Sequence, residues 1–111
     1  MSNENKFIGL DNETAASICR ILTQYPEVEA AILYGSRAKG THKTFSDIDL
    51  TLTGEVSVDT LLRIHADLDE SDIPYLFDLS VFNALTNPEL IEHIHRVGQV
   101  IYRKTRLLST D

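Results

Sequence analysis

The chain has 111 residues, a length at which a domain buries roughly 65% of its unfolded surface, so one compact domain is expected and a second is not. With 17 acidic residues against 10 basic ones the net charge is −7, which opposes a broad grip on the backbone of long DNA or RNA. One cysteine, Cys19, excludes an internal disulfide; the opening Met-Ser-Asn-Glu-Asn-Lys lacks an apolar signal core, and no run approaches the roughly 20 apolar residues that span a bilayer, so a cytoplasmic protein without a membrane partner is expected.

The first predicted helix covers residues 10–25, with Asp11 or Asn12 as its N-cap, and Pro26 ends it. Ala15, Ile18, Cys19, Leu22 and Tyr25 recur at three- and four-residue steps and form its apolar stripe, which places Cys19 in helix packing rather than in reactive chemistry. A strand follows over 29–34 and stops at Gly35, where a backbone without a side chain can turn sharply and approach a ligand. Ser36 to Lys39 then read as a short helical turn whose free N–H groups suit phosphate oxygens, with the Ser36 hydroxyl as a further donor. Arg37 and Lys39 supply cationic contacts, but residues two apart on such a turn diverge, so one of the two faces the phosphates.

A basic loop over 40–45, containing His42 and Lys43, leads to a second strand over 46–53 that Gly54 closes. In that strand Ile48, Leu50 and Leu52 alternate with Asp47, Asp49 and Thr51, so the apolar set faces the core and both carboxylates project together on the other side. Like charges side by side repel, and a divalent ion removes that cost. Ser57 caps a helix running to about residue 70, with Val58, Leu61, Leu62, His65 and Leu68 as its apolar face. Asp67-Leu68-Asp69 repeats the Asp-x-Asp spelling, but residues two apart on a helix lie about 200° around its axis and cannot easily share an ion. A third strand over 75–82 carries Asp78 as its one charge, a residue that needs a partner if the strand is central. Asn87-Pro88 opens a last helix with Leu90, Ile91, Ile94 and Val97 as its buried stripe; Gly98 caps it, and residues 99–103 form a short final strand. His93 and His95 diverge on that helix and do not read as metal ligands, and zinc is not indicated. The sum is an α/β (α+β) domain with one mixed sheet and helices packed on it, its core near 10–103 and short tails at both ends.

Pairing the third strand beside the second would bring Asp47, Asp49 and Asp78 together just beyond the Gly35-Ser36 turn. Three carboxylates holding hard cations with oxygen ligands are what two-metal phosphoryl or nucleotidyl transfer requires. Gly35-Ser36, ten intervening residues, Asp47-Ile48-Asp49 and the later Asp78 together resemble the minimal nucleotidyltransferases of the polymerase-beta superfamily, over roughly residues 30–102. The resemblance implies a polymerase-beta-like fold, catalytic and metal-binding roles for Asp47, Asp49 and Asp78, and triphosphate contacts from Gly35 and Ser36. It further implies two Mg2+ ions, ATP as substrate, AMP as the transferred group, and a hydroxyl acceptor. Small stand-alone members of this family are often encoded with a helical HEPN-type partner, and several act as antitoxins that adenylylate a tyrosine on it, so the resemblance implies a hetero-oligomer with such a protein. Two other readings compete: a non-catalytic module that neutralises a helical partner by contact, and a phosphatase-type pair of nucleophile and acid at Asp47 and Asp49, against which the matched Gly35-Ser36 spacing speaks.

Overall fold

The computed structural model describes residues 10–39 and 47–104. The expected loop over 40–45 with His42 and Lys43, the start of the second strand at Ser46, and both tails lie outside the described residues.

Helix α1 spans Asn12–Leu22, and its N-cap is Asp11, whose carboxylate accepts the Thr14 N–H at 2.9 Å. It stops three residues short of the expected end. Tyr25 precedes Pro26 and is disfavoured in helical backbone, and the Thr23 hydroxyl donates back to the Arg20 carbonyl at 2.7 Å, closing the last turn. Ala15, Ile18 and Leu22 are buried as the stripe requires, while Cys19 is half-buried and donates its thiol hydrogen to the Ile101 carbonyl. Strand β1 (Val28–Tyr34) leads through Gly35 into the short α2 (Ser36–Lys39). Strand β2 (Ile48–Gly54) is followed by α3 (Val58–Asp69), where Ser57 caps by accepting the Thr60 N–H.

The buried line of α3 differs from the expected one. Thr60, Ile64 and Leu68 face the core with Leu61 packed beside them, whereas Val58 and Leu62 are exposed at 71% and 62%. Thr60 tolerates burial because its hydroxyl is hydrogen-bonded to that of Ser57, which removes the usual cost of an unpaired polar group. His65 turns to the Phe77 carbonyl and to Asp69 rather than lining an apolar stripe. Asp67 accepts from the Tyr25 hydroxyl, so the two carboxylates of the Asp67-Leu68-Asp69 spelling serve separate neighbours.

Strand β3 (Phe77–Val81) runs into a single 3-10 turn at Phe82–Ala84, and α4 (Pro88–Val97) starts as expected, with the Asn87 side chain accepting the Glu89 and Leu90 N–H groups. Gly98 leads to β4 (Gln99–Arg103). The sheet order is β3-β2-β1-β4; β1 is antiparallel to both of its neighbours, and β3 is parallel to β2. Helices α1 and α3 pack on the face built by Leu33, Ile48, Leu50, Leu52 and Phe77, which joins Ile18, Leu22, Ile64 and Leu68 in one core. Helix α4 lies on the other face, where a Cβ on Gly98 would come within 2.7 Å of the Ile32 side chain. Among the described residues no helix is long and apolar enough to cross a membrane.

Candidate functional site

Register decides which side chains meet. Tyr34 of β1 pairs with Asp49 of β2, and Asp49 pairs with Asp78 of β3. Paired residues point to the same face of a sheet, so the two aspartates stand side by side, opposite the main core. Asp47 precedes β2 rather than belonging to it and is exposed. Asp78 is also exposed, because β3 is an edge strand and not the central one that would have demanded a partner for its charge.

Gly35 ends β1 with φ +80°, in the left-handed region that glycine enters without cost. The Asp49 carboxylate lies directly over it, in the space a Cβ would need. Glycine is therefore required twice here, for the turn and for the close approach of the carboxylate. Asp49 is half-buried, and its carboxyl is pushed up to about 6 by burial first, then by the charges of Asp78 and Asp47, against an opposing pull from Arg37. Tyr34, next to the turn, has its hydroxyl raised by burial, the neighbouring Ser80 hydroxyl acting in the opposite sense and Asp78 and Asp49 in the same one. Ser80 in turn donates to Thr51 at 2.9 Å, so the strands beneath the carboxylates are joined by hydroxyls.

The two cations of α2 separate as expected, but their environments differ in kind. Arg37 is only 4% exposed, with its guanidinium 4.4 Å from the centre of the Tyr75 ring, while Lys39 is exposed. A guanidinium stacked on an aromatic face is held firmly, and from this position its charge reaches Asp49 and Asp11.

One neighbour of the turn was not legible in the sequence. His93 of α4 accepts the Gly35 N–H on Nε2 at 3.1 Å and meets the Tyr34 ring edge-on, at 6.2 Å between centroids. Gln99 at the start of β4 donates its side-chain amide to the Ala38 carbonyl at 3.3 Å. No spacing rule links residues 58 and 61 positions apart; the crossing of α4 over the end of β1 brings His93 to Gly35, and the pairing of β4 with β1 brings Gln99 to Ala38.

Among the described residues no three His, Cys, Asp or Glu side chains form a ready-made metal cage. The donor set nevertheless fits a hard divalent cation: paired aspartates, one of them with its charged form disfavoured by its neighbours, gain from an ion whose remaining ligands are phosphate oxygens and water. Carboxylates beside a turn open to close backbone approach are the equipment of phosphoryl and nucleotidyl transfer. The chain belongs to the polymerase beta nucleotidyltransferase family, whose model matches residues 16–107. It is 33% identical over 104 residues to the probable protein adenylyltransferase MntA of Haemophilus influenzae, an alignment covering 92% of this chain and 90% of that one. Solved structures of like fold include a toxin-antitoxin complex with AMP-PNP (TM-score 0.67, 19% identity, 81% of this chain and 73% of that one). Another is the MNT antitoxin in complex with the tri-AMPylated HEPN toxin of Shewanella oneidensis (TM-score 0.63, 16% identity, 83% and 71%). At these identities the structural likeness speaks to the fold, which is the expected polymerase-beta-like one.

Proposed function

We propose that this chain is a magnesium-dependent adenylyltransferase that moves AMP from ATP to a hydroxyl of a helical HEPN-type partner, with which it assembles as the antitoxin of a pair. The observation that carries the reading is the register of Asp49 and Asp78, which sets two carboxylates side by side at the Gly35 turn in a member of this family. Support for the nucleotide and the partner comes from the adenylyltransferase relative and from the toxin-antitoxin complexes of like fold.

In this mechanism Asp47, Asp49 and Asp78 would hold the metal. Two bound Mg2+ ions would supply charge neutralisation for the triphosphate and acidify the attacking hydroxyl. Gly35 makes room for the Asp49 carboxylate beside the phosphates, and the Ser36 hydroxyl and N–H would orient them. Exposed Lys39 can reach a phosphate oxygen, whereas Arg37, stacked on Tyr75, supports the site by its charge on Asp49. The acceptor hydroxyl releases its proton to solvent, its oxygen forms a bond to the α-phosphorus as the bond to the bridging oxygen breaks, and pyrophosphate leaves. Positioning and electrostatics carry the rate, since the chain contributes no covalent intermediate.

The test is to incubate the protein with the helical protein encoded beside it, Mg2+ and α-labelled ATP. Wild type transfers label to the partner; Asp47→Asn/Asp49→Asn loses at least about 100-fold, the scale set by removal of a transition-state electrostatic group. Equal labelling by both proteins would overturn the assignment, and suppression of the partner by the double variant without any labelling would favour the contact-only module.

A further inference from the structure

We infer that His93 and Gln99 are positioning residues that hold the two ends of the Gly35–Lys39 turn in its nucleotide-gripping shape, His93 by accepting the Gly35 N–H and Gln99 by donating to the Ala38 carbonyl. The inference rests on the proposed function, because it gives the turn a nucleotide to grip.

A glycine at φ +80° has a broad range of backbone conformations available, and nothing intrinsic to Gly35 keeps it at this one. Within the turn, the Lys39 N–H donates to the Gly35 carbonyl at 3.1 Å, which closes the loop but leaves the Gly35 N–H and the Ala38 carbonyl to outside partners. Both partners come from one continuous stretch, the last turns of α4 and the first residue of β4. That stretch is itself anchored: the Gly98 N–H donates to the Ile94 carbonyl at 2.8 Å, and Gln99 and Val100 pair with Leu33 and Ile32 of β1. Strand, turn, helix and return strand thus form a closed bracket around the residues proposed to meet the triphosphate. The geometry also fixes a chemical detail. Because Nε2 accepts, it carries no proton, so His93 is the tautomer protonated on Nδ1.

The experiment uses the full chain and has two readouts. Isotope-edited NMR of the imidazole nitrogens in the nucleotide-free protein reports the tautomer, with Nε2 unprotonated as the expected result. Calorimetric binding of Mg2+–ATP is then compared across His93→Ala, His93→Gln, Gln99→Met and wild type, with thermal melts to verify folding. His93→Ala weakens binding roughly tenfold, the equivalent of one well-made hydrogen bond. His93→Gln, whose side-chain carbonyl oxygen can occupy the place of Nε2, recovers to within about threefold of wild type. Gln99→Met keeps the buried volume, loses the donor, and weakens binding by about threefold to tenfold. A proton on Nε2, unchanged binding by His93→Ala, or a His93→Gln variant as weak as His93→Ala would each overturn the inference, the last by reducing His93 to packing against Tyr34. Failure of wild type itself to bind Mg2+–ATP would instead overturn the proposed function.

Discussion

Asp49 is the residue on which local forces converge most clearly. Burial and the charges of Asp78 and Asp47 lift its carboxyl from 3.8 to about 6, so the folded chain holds that proton more tightly than the unfolded chain does. Its contribution to stability is therefore fully present below 3.8 and is lost as pH rises through about 6. In the absence of divalent ions, Asp49→Asn is expected to gain on wild type across that window by about 1 kcal/mol. A fully buried group with this shift would give roughly 3 kcal/mol, and partial exposure screens the rest. Denaturant melts at pH 4 and pH 8 check this; a difference between the two proteins that does not change with pH would show that neither burial nor the neighbouring carboxylates disfavour the charged form of Asp49. Gly35→Ala faces both a left-handed backbone and the Asp49 carboxylate, and should cost about 1–3 kcal/mol and nucleotide binding together. At this scale the sequence was informative wherever spacing is local. Asp49 lies opposite Ile48 and Leu50 because alternation in a strand is rigid, Asp47 just ahead of the strand is near enough for its charge to act on Asp49, and Gly35 announces a turn by its lack of a side chain. The Asp78 pairing and the His93 contact were of another kind, since both depend on which elements lie next to each other in space.

Helix α3 begins and ends where its sequence signals place it, yet buries a different face from the one its apolar residues suggest. Its cap, length and end agree with the sequence within a residue, because the Ser57 side chain marks its start through a local hydrogen bond. Its facing does not follow from the pattern because the apolar residues Val58, Leu61, Leu62, Ile64 and Leu68 cover more than one helical line, and the line that is buried includes a threonine. Ile64→Ala should cost about 2–5 kcal/mol, as expected for truncating a side chain with no exposure, while Leu62→Ala should stay within about 0.5 kcal/mol. Chemical denaturation of the two variants decides between the facings, and equal losses would restore the sequence-based one. The start of α4 illustrates the opposite situation. Asparagine followed by proline has one favourable arrangement, and both the cap and the first helical residue lie where that chemistry puts them.

For the molecule as a whole, the alternation of helices and strands announced a mixed sheet, but not its order. Placing β1 between β2 and β4, with β3 outermost, sets the Gly35 turn near the carboxylates and leaves Asp78 on an edge. Of that arrangement only the pairing of β3 beside β2 was expected, from the aspartates that need to meet; the places of β1 and β4 were not, because periodicity says nothing about neighbours. A net charge of −7 has a consequence at the same scale: a duplex DNA probe should remain unshifted by micromolar protein at physiological salt, where ordinary non-specific binders have Kd values of about 10⁻⁴–10⁻⁶ M. A salt-sensitive shift would show a basic surface that the overall charge conceals. Gly98, finally, is pressed between the Ile94 carbonyl and the Ile32 side chain with ordinary negative φ, so it is glycine for want of room and not for freedom of rotation. A methyl group there would act as a wedge under the foot of α4. The helix would pivot away from the sheet, and because His93 sits little more than a turn from that joint, the imidazole over Gly35 would move with it, so under the proposed function a lesion at Gly98 would be felt as a slackened hold on ATP.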